Sequence, residues 1–123
     1  MRYLTDRKRA EGMGSAKDGV HHFWAMKMSS VALLILVPLF VFTFGPMLGE
    51  PHADVLAYFG RPFPAIVAAL TIVVGFKHFR DGAQVMIEDY VHGTRQKLAI
   101  ILVACLSYGA MATGLFAIAK IAL

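Results

Sequence analysis

The sequence predicts an all-α membrane protein with three transmembrane helices and a short interfacial N-terminal segment. The chain has 123 residues, of which 58% are hydrophobic and only 16% are charged, whereas soluble domains usually carry about a quarter charged residues. The apolar residues are concentrated in three long runs, and about twenty apolar residues suffice for a helix to cross the hydrocarbon core. A single membrane domain over residues 1–123 is therefore expected, without room for a separate soluble catalytic module.

The three predicted spans differ in character. The first covers residues 30–48 and is uncharged, and a loop from Gly49 to Pro62 follows it. The second span, residues 63–90, is apolar at first and rich in ionisable residues in its second half. The third, residues 98–122, contains Cys105, for which we expect the role of a small buried hydrophobe. Its small residues, which would let helices approach closely, are Gly109, Ala110, Ala112 and Gly114.

Lys and Arg residues are distributed unequally over the segments that flank these spans, and this asymmetry predicts the orientation of the chain in the membrane. The six that precede the first span are Arg2, Arg7, Lys8, Arg9, Lys17 and Lys27, whereas the first loop has one and the second loop has two. The positive-inside rule therefore places the N-terminus, residues 1–29, in the cytoplasm. Such a cluster ahead of a hydrophobic span indicates the lipid bilayer, not a nucleic acid, as the partner. The N-terminus lacks the pattern of a cleavable signal peptide, and we expect a multi-pass protein of the bacterial inner membrane.

The second span carries the chemistry, because ionisable residues inside a membrane are costly and usually face a partner, a cavity or a cofactor. At about 100° per residue, His78 shares a face with Asp81 and Asp89. Gly75 and Gly82 lie about one turn to either side of His78 and leave room for a large planar group. A neutral imidazole in that position suits an axial ligand of haem iron. The alternative is that His78 only hydrogen-bonds to a neighbouring helix.

Asp89 and Tyr90 end the same span, eleven and twelve residues after His78. Eleven residues cover about 16 Å of helix, so a site there would be separate from His78 yet within reach of electron transfer. The phenol of Tyr90 can donate a hydrogen bond to a quinone carbonyl, with Asp89 relaying protons or holding a neighbouring group. The alternative is that both residues merely mark the membrane interface.

With these residues the chain resembles the hydrophobic membrane anchor subunit of bacterial succinate dehydrogenase. The shared pattern is a His in the second of three spans followed, eleven and twelve residues later, by Asp-Tyr, here His78, Asp89 and Tyr90. A second element, Gly-x-His-x-Phe before the first span, is matched around His21. Lys27 stands six residues after His21, where the family typically has Arg, and Lys lacks the bidentate fork of Arg.

The resemblance implies a set of site residues. His78 would be one axial ligand of the iron of a haem b, and the second ligand would come from the other membrane protein of the complex, its cytochrome b. Tyr90 would bind ubiquinone near the cytoplasmic face, with support from Asp89. His21 and Lys27 would lie near the haem propionates or the quinone pocket.

The resemblance also implies the partners and the activity of the complex. The partners would be the cytochrome b subunit, the iron–sulfur subunit and the flavoprotein subunit, of which the last two oxidise succinate and deliver electrons. The chain would then be a non-flavin subunit of an enzyme, succinate:quinone oxidoreductase, which is respiratory complex II and part of the tricarboxylic acid cycle. In keeping with that division of labour, the chain has no flavin motif and a single Cys.

Three other functions stay open at this point. The anchor of a fumarate reductase would run similar chemistry in the reverse direction. A small transporter would line an ion path with the polar residues, although the sequence shows neither broken helices nor paired repeats. A structural membrane protein would use no redox group. The visible spectrum of a b-type haem separates the two anchor functions from the other two.

Overall fold

The computed structural model describes residues 3–14 and 18–123, and only the backbone of Asp18. Arg2 and Lys17, two of the six basic residues behind the predicted orientation, lie outside the described residues. The helices are α1 (Asp6–Glu11), α2 (Asp18–Phe44), α3 (His52–Phe59), α4 (Pro62–Tyr90) and α5 (Thr94–Ala122). No strand occurs within the described ranges, and the predicted all-α class is confirmed.

α2, α4 and α5 are the membrane-spanning candidates, because each is long and apolar enough to cross a bilayer. α2 has 27 residues, and α4 and α5 have 29 each. Helices of this length extend about 40 Å, which exceeds the hydrocarbon thickness of about 30 Å. The prediction of three transmembrane helices is therefore confirmed.

The N-terminal segment is helical for most of its described length. α1 is capped by Thr5, whose hydroxyl accepts a hydrogen bond from the backbone N–H of Lys8 at 3.3 Å. α2 begins at Asp18 and continues into the membrane span, with Pro38 inside it. The last part of the predicted interfacial segment is thus helical and continuous with the first apolar span.

The connection between α2 and α4 differs from the sequence-based expectation. A plain loop was predicted from Gly49 to Pro62, but α3 lies within it. Pro51 holds the extended backbone of the helix N-cap, and Asp54 puts an acidic group in the first turn, where the helix dipole favours negative charge. Phe59 is buried, and the centre of its ring lies 6.1 Å from the centre of the Phe44 ring. α3 therefore folds back over the end of α2.

α4 is the central helix and packs against both α2 and α5. Only three residues separate α4 from α5, ending at Gly93 with a φ of 70° that glycine adopts readily. Such a short connection makes the two helices antiparallel neighbours. A Cβ on Gly114 would lie 3.1 Å from the Cδ1 of Ile72 on α4, whereas a Cβ on Gly109 would meet nothing within 4 Å. Close helix approach through a small residue is therefore found at Gly114.

Few side chains are buried by the chain itself. The apolar core consists of Phe59, Ala65, Val67, Ala68 and Ile87, and the buried polar residues are Ser29, Thr43, Asp81 and Ser107. Cys105 is exposed on α5, so the expectation that it is buried was wrong. In a membrane helix an apolar side chain can face lipid or another protein, and an apolar run therefore does not imply burial within the chain.

Candidate functional site

His78 is partly buried on α4 and reaches across to α2. Its Nδ1 lies 2.9 Å from the hydroxyl oxygen of Ser29, which is itself 6% exposed. No described hydrogen bond involves the Nε2 of His78. The two functions considered for His78 are therefore compatible, since Nδ1 contacts the neighbouring helix while Nε2 remains available. Ser29 was not predicted as a site residue, and no sequence spacing links it to His78, 49 residues away.

The space beside His78 is open at the two glycines that the sequence singled out. A Cβ added to Gly75 or Gly82 would meet no other atom of the described chain within 4 Å. Packing within this chain therefore does not explain why both positions lack a side chain. The arrangement leaves room for a planar group that approaches α4 from outside the chain.

An apolar groove of about 700 Å³ extends from Gly75 along the bundle. Its walls include Phe40 of α2, Phe76 and Phe79 of α4, and Ile118 of α5. Apolar walls suit hydrocarbon and offer little to the carbonyl groups of a quinone, which require hydrogen-bond donors. The groove is therefore a poor candidate for the quinone headgroup.

An ionic cluster of Lys77, Arg80 and Asp81 lies on α4 to either side of His78 in the sequence. The carboxylate of Asp81, which is 2% exposed, accepts hydrogen bonds from Lys77 Nζ at 2.8 Å and from Arg80 Nη1 at 3.0 Å. The Arg80 guanidinium carbon also lies 6.0 Å from the centre of the Tyr108 ring on α5, which is within cation–π range. Lys77 and Arg80 are thus both paired with a carboxylate of their own helix. The four-residue spacing of Lys77 and Asp81 was a signal for this pair in the sequence.

Asp89 and Tyr90 are exposed at the end of α4. Tyr90 is the last residue of the helix and is 81% exposed. No described hydrogen bond involves either side chain. The turn beside them is closed by Gln96 of α5, whose side-chain amide donates to the Glu88 carbonyl at 3.3 Å. Both polar side chains are therefore held at a defined helix end and are free to contact another molecule.

His21 and Lys27 are exposed on α2, at different depths. Lys27 precedes Ser29 by two residues, or about 3 Å of helix, so it lies near the level of His78. Its Nζ lies 5.5 Å from the centre of the Phe23 ring. His21 precedes Ser29 by eight residues, or about 12 Å, and so lies nearer the level where α4 ends. No described contact joins either side chain to His78.

The five predicted site residues thus form two levels of the bundle and not one cluster. His78 and Lys27 belong to the deeper level, and the other three belong to the level of the α4 end. Within the ranges that the structure describes, no group of three or more His, Cys, Asp or Glu side chains could hold a metal ion. A haem iron takes most of its ligands from the porphyrin, so a single residue such as His78 could serve it.

Comparisons with known proteins identify the family of the chain. A family model described as succinate dehydrogenase/fumarate reductase transmembrane subunit matches residues 1–112. The chain belongs to this family. Among members of the family, the succinate dehydrogenase hydrophobic membrane anchor subunit of Paracoccus denitrificans is 46% identical over 123 residues, covering 100% of this chain and 95% of the relative. The resemblance expected from the sequence is thus confirmed.

Two further relatives are more distant. The succinate dehydrogenase hydrophobic membrane anchor subunit of Rickettsia conorii is 32% identical and covers 76% of this chain and 77% of its own length. The succinate dehydrogenase membrane anchor subunit of Reclinomonas americana is 28% identical, with coverage of 69% and 73%. No solved structure matches the chain. The family membership therefore rests on sequence, and with the three apolar helices it supports a multi-pass membrane subunit of an enzyme complex.

Proposed function

We propose that the chain is the hydrophobic membrane anchor of a bacterial succinate:quinone oxidoreductase. Together with the cytochrome b subunit it would hold a haem b and form the ubiquinone-reduction site, and it would dock the iron–sulfur and flavoprotein subunits. The observation that carries the proposal is the state of His78, whose Nδ1 is engaged by Ser29 while Nε2 has no described partner. The same helix ends in the exposed pair Asp89 and Tyr90.

The residues around His78 fit a haem. A metal binds the unprotonated nitrogen of a neutral imidazole, and metal-bound histidines usually hydrogen-bond through the other nitrogen. Gly75 and Gly82 leave the room that a porphyrin edge needs beside α4. When bound, the haem supplies a site that accepts and passes on single electrons. His78 would hold the iron from this chain, and a residue of the cytochrome b subunit would supply a further ligand.

The end of α4 fits the quinone. The Tyr90 hydroxyl donates a hydrogen bond to a quinone carbonyl, and Asp89 beside it supports the pocket and accepts or delivers protons. We assign His21 to this level, because α2 brings it nearer the end of α4. Lys27 lies at the level of His78, where its ammonium group is suited to the haem propionates. The separation of about 16 Å between His78 and Asp89 keeps the two sites distinct but within electron-transfer distance.

The relatives favour succinate oxidation over fumarate reduction as the reaction of the complex. The family description covers both enzymes, but the three relatives described above are all named as succinate dehydrogenase subunits. A transporter would more often contain broken helices at a site in the middle of the membrane. α4 and α5, by contrast, each run unbroken over 29 residues.

A visible spectrum of the purified complex, with all four of its subunits, tests the proposal. A reduced-minus-oxidised difference spectrum should show the bands of a b-type haem, in a complex that reduces ubiquinone with electrons from succinate. A complex that contains this chain and has no haem b would contradict the haem assignment. Failure to copurify with any of the other succinate dehydrogenase subunits would favour a transporter or structural function.

Tyr90→Phe should lower quinone reduction while leaving succinate oxidation intact. The substitution keeps the ring and removes one hydrogen bond worth on the order of 1 kcal/mol, which corresponds to a loss of about fivefold in kcat/KM for ubiquinone. Electron transfer from succinate to an artificial acceptor at the soluble subunits should stay unchanged. Tyr58→Phe is the matched control, because Tyr58 lies on α3 beside Arg61, at the other end of the bundle. Equal ubiquinone kinetics in both variants would place Tyr90 in the interfacial aromatic belt instead.

Cysteine labelling should place the N-terminus and the turn between α4 and α5 in the cytoplasm. Cys105 is the single native cysteine, so Cys105→Ala gives a background in which one new thiol at a time can be tested. Met13→Cys and Thr94→Cys, at exposed positions, should react with a membrane-impermeant reagent only from the cytoplasmic side. Ala53→Cys, exposed on α3, should react from the periplasm. Periplasmic labelling at residue 13 would invert the orientation and overturn the placement of the quinone site.

A further inference from the structure

We infer that Ser29 is a positioning residue for the haem ligand, because its hydroxyl decides which nitrogen of His78 carries the hydrogen. The inference rests on the proposed function, in which His78 binds haem iron. Ser29 Oγ and His78 Nδ1 lie 2.9 Å apart across the interface of α2 and α4. Since Ser29 is only 6% exposed, little solvent competes for this hydrogen bond.

The direction of the hydrogen bond follows from the second partner of the hydroxyl. Ser29 Oγ also lies 2.9 Å from the backbone carbonyl oxygen of Met26, which can only accept. A serine hydroxyl has one hydrogen to donate, and serines inside membrane helices commonly give it to a carbonyl one turn earlier. Ser29 therefore donates to Met26 and accepts from the Nδ1–H of His78.

This direction selects the tautomer that a metal requires. With the hydrogen on Nδ1, the Nε2 of His78 keeps its lone pair for iron. The opposite direction, with the hydroxyl donating to Nδ1, would leave the hydrogen on Nε2 and block ligation. The hydrogen bond also fixes the plane of the imidazole relative to α4, so Ser29 orients the ligand as well as preparing it.

The chemical nature of the acceptor sets the strength of the ligand. A hydroxyl is a neutral acceptor, so it polarises the Nδ1–H bond less than a carboxylate would. The nearest carboxylate on α4, that of Asp81, is occupied by Lys77 and Arg80 and does not take this role. His78 therefore has an uncharged acceptor at Nδ1. Loss of the Ser29 acceptor should make it a weaker electron donor to iron, and the midpoint potential of the haem should rise.

Ser29→Ala and Ser30→Ala in the complex of all four subunits form a matched pair for the test. The Ser30 hydroxyl donates to the same Met26 carbonyl, also at 2.9 Å, but the residue is exposed and has no described contact with His78. Ser29→Ala should bind haem on the order of tenfold or more weakly, as is typical when a partner of a metal-bound histidine is lost. It should also raise the haem midpoint potential in a redox titration and shift the low-spin EPR g values. Ser30→Ala should match wild type in all three measurements, and Ser29→Thr should restore them.

The outcomes separate this inference from the proposed function. If His78→Ala lacks haem while Ser29→Ala keeps the wild-type potential, g values and haem content, the role of Ser29 is overturned and His78 remains the ligand. If the His78→Ala complex keeps its haem, His78 is not a ligand of the iron, and that part of the proposed function is wrong. Should Ser29→Ala fail to assemble, Ser29→Cys places a weak acceptor of similar size at the same site. An unshifted potential in an assembled Ser29→Cys complex would then overturn the inference.

Discussion

His78→Ala is expected to remove haem b from the purified complex while part of the complex still assembles. The substitution deletes the nitrogen that the proposed site offers to iron, and a haem bound through the cytochrome b subunit alone would be lost during purification. Assembly should survive in part, because α4 also packs against α5, whereas the described hydrogen bond of His78 is to Ser29 on α2. The measurements are the ratio of haem to flavin and the reduced-minus-oxidised spectrum.

Two other histidines provide the controls for this experiment. His52 lies at the start of α3 and His92 in the turn after α4, and both are exposed. His52→Ala and His92→Ala remove the same side chain at positions without a described contact to the proposed haem site. Both variants should keep the wild-type ratio of haem to flavin. A His78→Ala complex with the same ratio as these controls would remove His78 as a ligand.

Asp81→Asn should sharply reduce the amount and thermal stability of the assembled complex. Asp81 contacts both Lys77 and Arg80, and the substitution leaves two cations close together within a membrane helix. Removing one partner of a buried ion pair typically costs about 3–5 kcal/mol. The lower end of that range applies here, because the Lys77 side chain is 46% exposed. Immunoblots of membranes and thermal unfolding of the purified complex would measure the loss.

A matched control exists on the same helix. Glu88→Gln makes the same chemical change near the end of α4, where the carboxylate is exposed and accepts only from Gln84 at 2.8 Å. This variant should be as abundant and stable as wild type. Adding Lys77→Met to Asp81→Asn should restore part of the loss, because it returns the net charge of the cluster to its original value, that of a single cation. Equal stability of Asp81→Asn and Glu88→Gln would show that the ion pairs contribute nothing.

Hydropathy and helix geometry predicted the parts of the fold that depend on local sequence. The three spans were predictable because a bilayer demands long apolar runs, and α2, α4 and α5 each contain one. α3 was missed because it has only eight residues and lies between a proline and a glycine that also mark loops. The burial of Cys105 was misjudged because an apolar residue in a membrane helix need not face the protein interior.

The candidate site was predictable to the extent that it lies on one helix. The spacing of His78 and Asp89 set their separation along α4, since the rise per residue is fixed. The contact between His78 and Ser29 was not predictable, because it depends on the register between two helices that are separate in the sequence. The pairing of Asp81 with Lys77 lay between these cases. Its spacing was visible, but the second contact of Asp81, with Arg80, and the burial of the carboxylate could be read only from the structure.

The small number of side chains buried within the chain affects how a cell produces it. In lipid, an apolar helix surface is already well solvated, so insertion alone does not oblige α2, α4 and α5 to pack together. Polar contacts such as that between Ser29 and His78 therefore contribute much to the alignment of the helices. A newly inserted copy without its partner proteins would be held together only by these contacts and by the packing of α4 against α2 and α5, and it would be more open to membrane proteases than the assembled complex. Surplus copies would then be degraded. The amount of this chain would therefore be matched to that of its partners by proteolysis of the excess and not by control of its synthesis.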